Sequence, residues 1–321
     1  MLRDELAAWL RGLQNDICEA LEKADGKAIF SNEPWERPEG GGGVTRVIQD
    51  GNVLEKGGVN FSAVHGTAPA FLTAEREHSV TPSAKNAEGS SPHVAEKREG
   101  VEEKGATFFA TGVSIVLHPK SPMVPIIHMN IRYFEMSNGV YWLGGGIDLT
   151  PHYVNEDDAR FFHETLKKVC DKHHGGYYEK FKKWADDYFF IPHRGETRGI
   201  GGIFFDRLVS FEDMTFEKNI AFWKEVGQTF ASIYTELIKR NKDLPYGDNE
   251  KQWQLIRRGR YAEFNLVYDK GTKFGLETNG RIESILMSLP PLASWQYNFK
   301  PQPGTKEEKT IALLKKGIDW V

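Results

Sequence analysis

The stretch from Thr111 to Tyr153 leaves this chain little freedom in how it folds. It reads TGVSIVLHPKSPMVPIIHMNIRYFEMSNGVYWLGGGIDLTPHY, three strand-like runs joined by short connections. In the first run Val113, Ile115 and Leu117 alternate with Ser114, Val116 and His118. In the second, Met129, Ile131 and Tyr133 alternate with His128, Asn130 and Arg132. A strand has a side-chain period of two, so each run has one apolar face and one other face. A symmetric antiparallel register across the Pro119–Pro125 loop sets Ser114 opposite Arg132 and His118 opposite His128. The solvated face of an antiparallel sheet also alternates. Such a face takes interchangeable Lys, Glu and Thr, whereas this one carries two histidines, an asparagine and an arginine.

The third run enters through Asn138-Gly139, a hairpin signal, and leaves through Gly144-Gly145-Gly146-Ile147-Asp148. Glycines inside a strand mark a bulge or a close approach by a ligand or backbone. A two-residue turn at Asn138-Gly139 pairs Arg132 with Gly145 and turns Asp148 away from His128. A three-residue turn, or one bulge, pairs His128 with Asp148 and turns the carboxylate in. A carboxylate beside three glycines suits a ligand, so the inward arrangement is expected.

Around this block the chain reads as one α+β unit. Its 321 residues, 40% hydrophobic, suffice for one large core. Leu2, Leu6, Trp9, Leu10, Leu13, Ile17 and Leu21 predict a helix over 2–24. Residues 31–43, with two prolines and Gly40–Gly43, read as a loop. Strands are expected at 44–49, 52–55 and 59–65. Residues 73–105 hold hardly any large apolar side chain and read as exposed, so a single domain over 1–321 with an exposed insertion at about 75–103 is expected. Asn155 caps a helix. Another helix covers about 216–241, a short one 249–258, a strand 260–268, and a turn 269–272. Thr305 and Glu308 form a capping box for a last helix over about 306–317.

Charge and composition exclude several functions. A net charge of −4 argues against a general nucleic-acid binder. Two cysteines, Cys18 and Cys170, make no disulfide framework, which fits a reducing compartment. No apolar run reaches 18 residues, and the N-terminus does not read as a signal peptide, so a cytoplasmic location is expected. No P-loop, HExxH or GxSxG pattern occurs. Arg132, Arg194, Arg198, Arg207, Arg257, Arg258, Arg260 and Arg281 offer forks that suit a ligand with several carboxylates. His118, His128, His163 and His193 offer imidazoles for a metal, although His128 serves equally as a proton donor or base.

Several blocks, HPKSPMVPIIHMNIRYFE, GGGIDLTPHY, HRGETRGIGGIFFD, RRGRYAEFNLVYDKGTKFGL, GRIESILMSLPP and GGGGVTRVIQDGNVLEKGGVNFSAVHG, resemble the oxygen-dependent coproporphyrinogen III oxidase family. The resemblance spans about residues 30–299, apart from about 75–103. It implies a large antiparallel sheet flanked by helices on both faces, assembled as a homodimer, with contacts around Tyr261–Trp295. It implies oxidative decarboxylation of the ring A and B propionates of coproporphyrinogen III to vinyl groups. Dioxygen would be the acceptor, with no organic cofactor and a divalent metal left open. Residue by residue, it implies substrate binding by Ser114, Asn130, Ile131, Arg132, Asn279, Gly280 and Arg281. It implies His128 as proton donor, Asp148 as an acid at the pyrrole nitrogen, and His118, His128, His163 and His193 as metal ligands. Two other readings stay open: a His-ligated metal oxidase acting on another polycarboxylate, and a non-catalytic tetrapyrrole carrier.

Overall fold

The computed structural model describes residues 2–68, 105–277 and 280–321. The expected insertion at about 75–103 and Asn279 lie outside the described residues.

The strands are β1 (Glu33–Glu36), β2 (Gly41–Gln49), β3 (Leu54–Thr67), β4 (Thr107–Pro119), β5 (Ile126–Met136), β6 (Tyr141–Thr150), the short pair β7 (Phe190–Ile191) and β8 (Glu196–Thr197), and β9 (Gly202–Leu208). Seven of them form one sheet in the order β1-β2-β3-β4-β5-β6-β9, every neighbour antiparallel. The helices are α1 (Leu2–Asp25), α2 (Glu156–His173), α3 (Tyr177–Tyr188), α4 (Phe216–Asn241), α5 (Asp248–Val267), α6 (Lys270–Glu277), α7 (Ile282–Leu286) and α8 (Lys306–Leu313).

Alternation decides which face of the sheet is dry. Val113, Ile115, Leu117, Met129, Ile131 and Ile147 are wholly buried on one face. There α1 lays down Leu6, Leu10, Leu13, Ile17 and Leu21, and α4 lays down Phe222, Trp223, Val226 and Phe230. Gln14 interrupts the α1 stripe without penalty, because its amide donates to the Val44 and Val59 carbonyls at 2.8 and 2.7 Å. Gly227 is where α4 comes closest: a Cβ there would lie 2.7 Å from Ile131 Cδ1. The opposite face is only partly covered. Tyr261 of α5 packs on Val116 and Ile126. The stretch after α6 crosses β2 and β3, where Asn60 donates to the Ser284 carbonyl and Lys56 to that of Leu289.

Four expectations change. Residues 31–43 form β1 and the start of β2 rather than a loop, with Pro34 tolerated because β1 is an edge strand. Arg260–Tyr268 is not a strand, because α5 runs unbroken to Val267 and the turn at 269–272 belongs largely to α6. The helical stripe of α5 was hidden because its buried positions include Arg257, Arg258, Arg260 and Asn265. The last helix stops at Leu313. Finally, β4 and β5 pair Ser114 with Asn130 and Val116 with His128, two residues from the symmetric register. That shift brings Ile126 beside Val116 under Tyr261. An even shift keeps every side chain on its own face.

Candidate active site

The partly covered face is a grid of cross-strand neighbours. One rung runs Thr45, Asn60, Ser114, Asn130, Gly146 and Phe204 across six strands. The next carries Ser62, Gly112, Arg132 and Gly144, and the rung on the other side carries Gly58, Val116, His128, Asp148 and Gly202. At about 4.8 Å per strand, six strands span about 24 Å. Seven of these fifteen positions are glycine or serine, so the floor is low where the polar side chains rise.

The hairpin between β5 and β6 sets the chemistry. Its turn is three residues long, Ser137 to Gly139, with Gly139 at φ +86°. His128 therefore faces Asp148, and His128 Nδ1 lies 2.7 Å from Asp148 Oδ1. Arg198, from the loop before β9, donates Nη2 to both Asp148 oxygens at 2.8 Å and Nη1 to Asn265 Oδ1 at 2.7 Å. Its guanidinium lies 4.5, 4.6 and 4.7 Å from the ring centres of Phe189, Tyr261 and Phe264. Asp148 is 1% exposed. Burial works to raise its pKa, but the Arg198 charge and the His128 hydrogen bond outweigh it and hold the carboxyl below its usual range. Asp148 is thus ionised and accepts Nδ1–H of His128, which leaves Nε2 of a half-buried imidazole for a ligand.

Arg132 lies one rung beyond Asn130. It donates Nη1 to Asn130 Oδ1 and Nη2 to Asp206 Oδ1, both at 2.7 Å. Gly144 makes room for this pair: a Cβ there would come within 2.8 Å of Arg132 Cζ and of Asp206 Oδ1. At the far edge Arg281 donates to Glu33 Oε2 at 2.7 Å and reaches Thr45 Oγ1 at 3.4 Å. Gly280 sits beside it, its N–H on the Gly275 carbonyl at 2.8 Å.

The face thus gathers Ser114, His128, Asn130, Arg132 and Asp148, with Gly280 and Arg281 at its rim. Ile131 is different: its side chain is wholly buried in the opposite face, so only its backbone belongs to the site strand. The four histidines expected as metal ligands do not meet. His118 is buried with Nε2 on the Ser288 carbonyl. His163 is in the core with both nitrogens engaged, by Tyr178 Oη and the Ile200 carbonyl. His193 bonds Tyr268 and Glu263. Among the described residues no group of three or more His, Cys, Asp or Glu is placed to hold a metal ion. A shared site would have to break these separate bonds, so the ligand set does not fit this chain.

Sequence reasoning missed three members. Arg198 was visible only as one of eight arginines, and its burial against Asp148 is a tertiary matter. Asn60 alternates with Val59 and Phe61, a signal that was present. Asp206 followed the glycine-rich strand without any local mark.

The face joins charge-assisted anchors for carboxylates to a histidine held by a buried ionised aspartate. That set can bind an anionic ligand and move a proton at one of its groups. The family model for coproporphyrinogen III oxidase matches residues 5–320. With the match running through every strand and helix that builds this face, the chain belongs to the coproporphyrinogen III oxidase family, oxidoreductases of porphyrin biosynthesis.

Proposed function

We propose that this chain is an oxygen-dependent coproporphyrinogen III oxidase that converts the ring A and B propionates to vinyl groups. The observation that carries the reading is the juxtaposition of Arg132 with the His128–Asp148–Arg198 cluster on one open sheet face. Each turnover removes a carboxylate and two electrons from one propionate. The balance is R–CH2CH2COO− + O2 + H+ → R–CH=CH2 + CO2 + H2O2. The reduced macrocycle is electron-rich, so the protein's task is to hold the propionate and supply or remove protons. Arg132, with Asn130 and Ser114, anchors carboxylates. His128 moves the proton through Nε2. Asp148 keeps the imidazole oriented and neutralises Arg198. Protoporphyrinogen IX would be the product after two rounds.

The reading includes a homodimer. Leu266, Val267, Ile282, Leu292, Trp295 and Tyr297 are exposed apolar side chains clustered in the sequence after Tyr261. Exposed large apolar side chains in this number support association. No helix of the described residues is long and apolar enough to cross a membrane.

The test is aerobic incubation of the purified protein with freshly reduced coproporphyrinogen III, with and without chelator. Protoporphyrin with one peroxide per vinyl group, and no product without oxygen, supports the oxidase. Tight binding with the substrate recovered unchanged points to a carrier instead. Activity lost to chelator and restored by metal would favour a metal oxidase.

A further inference from the structure

We propose that Asp206 anchors the centre of the tetrapyrrole by accepting hydrogen bonds from its pyrrole N–H groups; this rests on the coproporphyrinogen reading above. A reduced tetrapyrrole shows a protein two kinds of polar group. Carboxylates surround its rim and accept hydrogen bonds, and four N–H groups at its centre donate them. The site face meets the rim with donors: Arg132, Arg281, Asn130 and His128. The centre needs an acceptor on the open part of the same face.

Asp206 is that acceptor. It lies on β9 in the alternation that puts Phe204 on the site face. Its side chain is 33% exposed, and only Oδ1 is taken, by Arg132 Nη2 at 2.7 Å. Oδ2 has no donor among the described residues. Asp148 contrasts with it: both oxygens are occupied and the side chain is 1% exposed.

The backbone is shaped to deliver this carboxylate. The β6–β9 register slips between Leu143 and Gly145, so Asp206 and Arg207 together oppose Gly144. A bulge of this kind re-aims a side chain. Arg207 takes φ +50°, a left-handed conformation that costs a non-glycine residue on the order of 1 kcal/mol. Opposite it, Gly144 has no Cβ, and any Cβ there would come within 2.8 Å of Asp206 Oδ1. A bulge, a left-handed arginine and a glycine thus converge on one carboxylate.

A purely orienting role for Asp206, through Arg132, makes different predictions. The experiment is a double-mutant cycle on Asp206→Ala and Arg132→Ala, with Asp206→Asn as the isosteric control. Both decarboxylations are timed, and the monovinyl tripropionate intermediate is quantified. If turnover of Arg132→Ala falls below detection, anaerobic coproporphyrinogen binding followed by tryptophan quenching completes the cycle. Direct contact predicts that Asp206→Ala lowers kcat/KM, or binding, at least tenfold further in the Arg132→Ala background. It also predicts that both decarboxylations slow by one factor, without build-up of the monovinyl intermediate. The N–H centre is shared by every in-plane orientation of the macrocycle, whereas a rim contact is not. No added loss in the Arg132→Ala background, or accumulation of the monovinyl species, overturns the role of Asp206 while leaving the oxidase reading intact. Wild-type protein that neither binds nor converts coproporphyrinogen overturns the oxidase reading and this proposal together.

Discussion

At Asp148 one side chain serves two partners, and substitution separates their effects. It orients His128 and is the counter-charge of a buried guanidinium, Arg198. Stranding a buried charge costs about 3–5 kcal/mol, so Asp148→Ala acts on both stability and turnover, whereas Asp148→Asn keeps the shape. Either variant is expected to cut kcat about 100-fold or more. Cys170→Ala, a buried core position on α2, is expected to change kcat less than about twofold. Steady-state kinetics on folded protein, checked by circular dichroism, decides it, and equal small effects would remove Asp148 from the mechanism. The buried histidines make a second prediction. Burial pushes His118 and His163 down to about 3 from an ordinary 6.5. The unfolded chain therefore binds protons below about pH 6.5 that the folded chain refuses until about pH 3. Stability is complete above pH 6.5 and declines as pH falls through that window, by up to about 1.4 kcal/mol per pH unit for each histidine. Urea midpoints at pH 7.5 and pH 5 should show the decline, and His163→Gln should flatten it. An unchanged slope in that variant would count against the assignment.

Among the secondary-structure elements, β6 shows how a strand can carry room for function and room for folding side by side. At Gly144 an added Cβ meets the far ends of Arg132 and Asp206, 2.8 Å away, and these flexible side chains can move. Gly144→Ala is expected to fold, with stability within about 1 kcal/mol of wild type. Its KM should rise about tenfold, the loss of one charge-assisted hydrogen bond. On the neighbouring strand, Gly202 has φ +156°, and an added Cβ would lie 2.0 Å from the Ile147 carbonyl oxygen, which cannot move without breaking the β6–β9 ladder. Gly202→Ala should cost about 3 kcal/mol or more. Thermal melts beside KM values separate the two cases; a KM of Gly144→Ala equal to wild type would mean that Arg132 does not touch the ligand. The α5 helix shows the reverse situation. Its residues Tyr261 and Phe264 look strand-like in sequence, yet Arg258 pairs with Glu55 and Arg257 with Glu196 in the interior. Buried arginines read as solvent-facing, so the helical stripe was not legible.

Across the whole molecule, the described residues leave the sheet with one sealed face and one partly covered face. The apolar surface after Tyr261 stands apart, with Tyr297 102% exposed and Leu292 62% exposed. A stable interface needs about 800 Å² per partner, and the proposed occupant of this segment is a second copy of the chain. Sedimentation of the wild type is expected to give a dimer, and the pair Leu292→Asp with Tyr297→Asp a monomer. A wild-type monomer at micromolar concentration would end the dimer reading. Glu263 ties this segment to the site loop. It accepts from Arg194, His193 and Trp295, and these bonds outweigh its burial and hold its pKa at about 2.

Much of the site was legible because strand periodicity is local. Alternation alone separated Ile131 and Met129 from His128, Asn130 and Arg132, and the three glycines beside Asp148 pointed to the inward carboxylate, whereas a two-residue turn at Asn138-Gly139 would have turned it away. The same pattern could not say that Ile131, implied as a ligand residue by family resemblance, sends its side chain into the core. Register is a different matter, since it depends on what packs on the sheet from outside. The β4–β5 pairing moved two residues from its symmetric position where Val116 and Ile126 meet Tyr261 of a helix more than a hundred residues away. Likewise, four histidines of suitable type went to four unrelated environments, each held there by a different local partner. Local spacing determined the faces of the sheet. Only tertiary packing decided which carboxylate is sealed against Arg198 and which, at Asp206, stays open, since burial and bulges are set by elements distant in sequence.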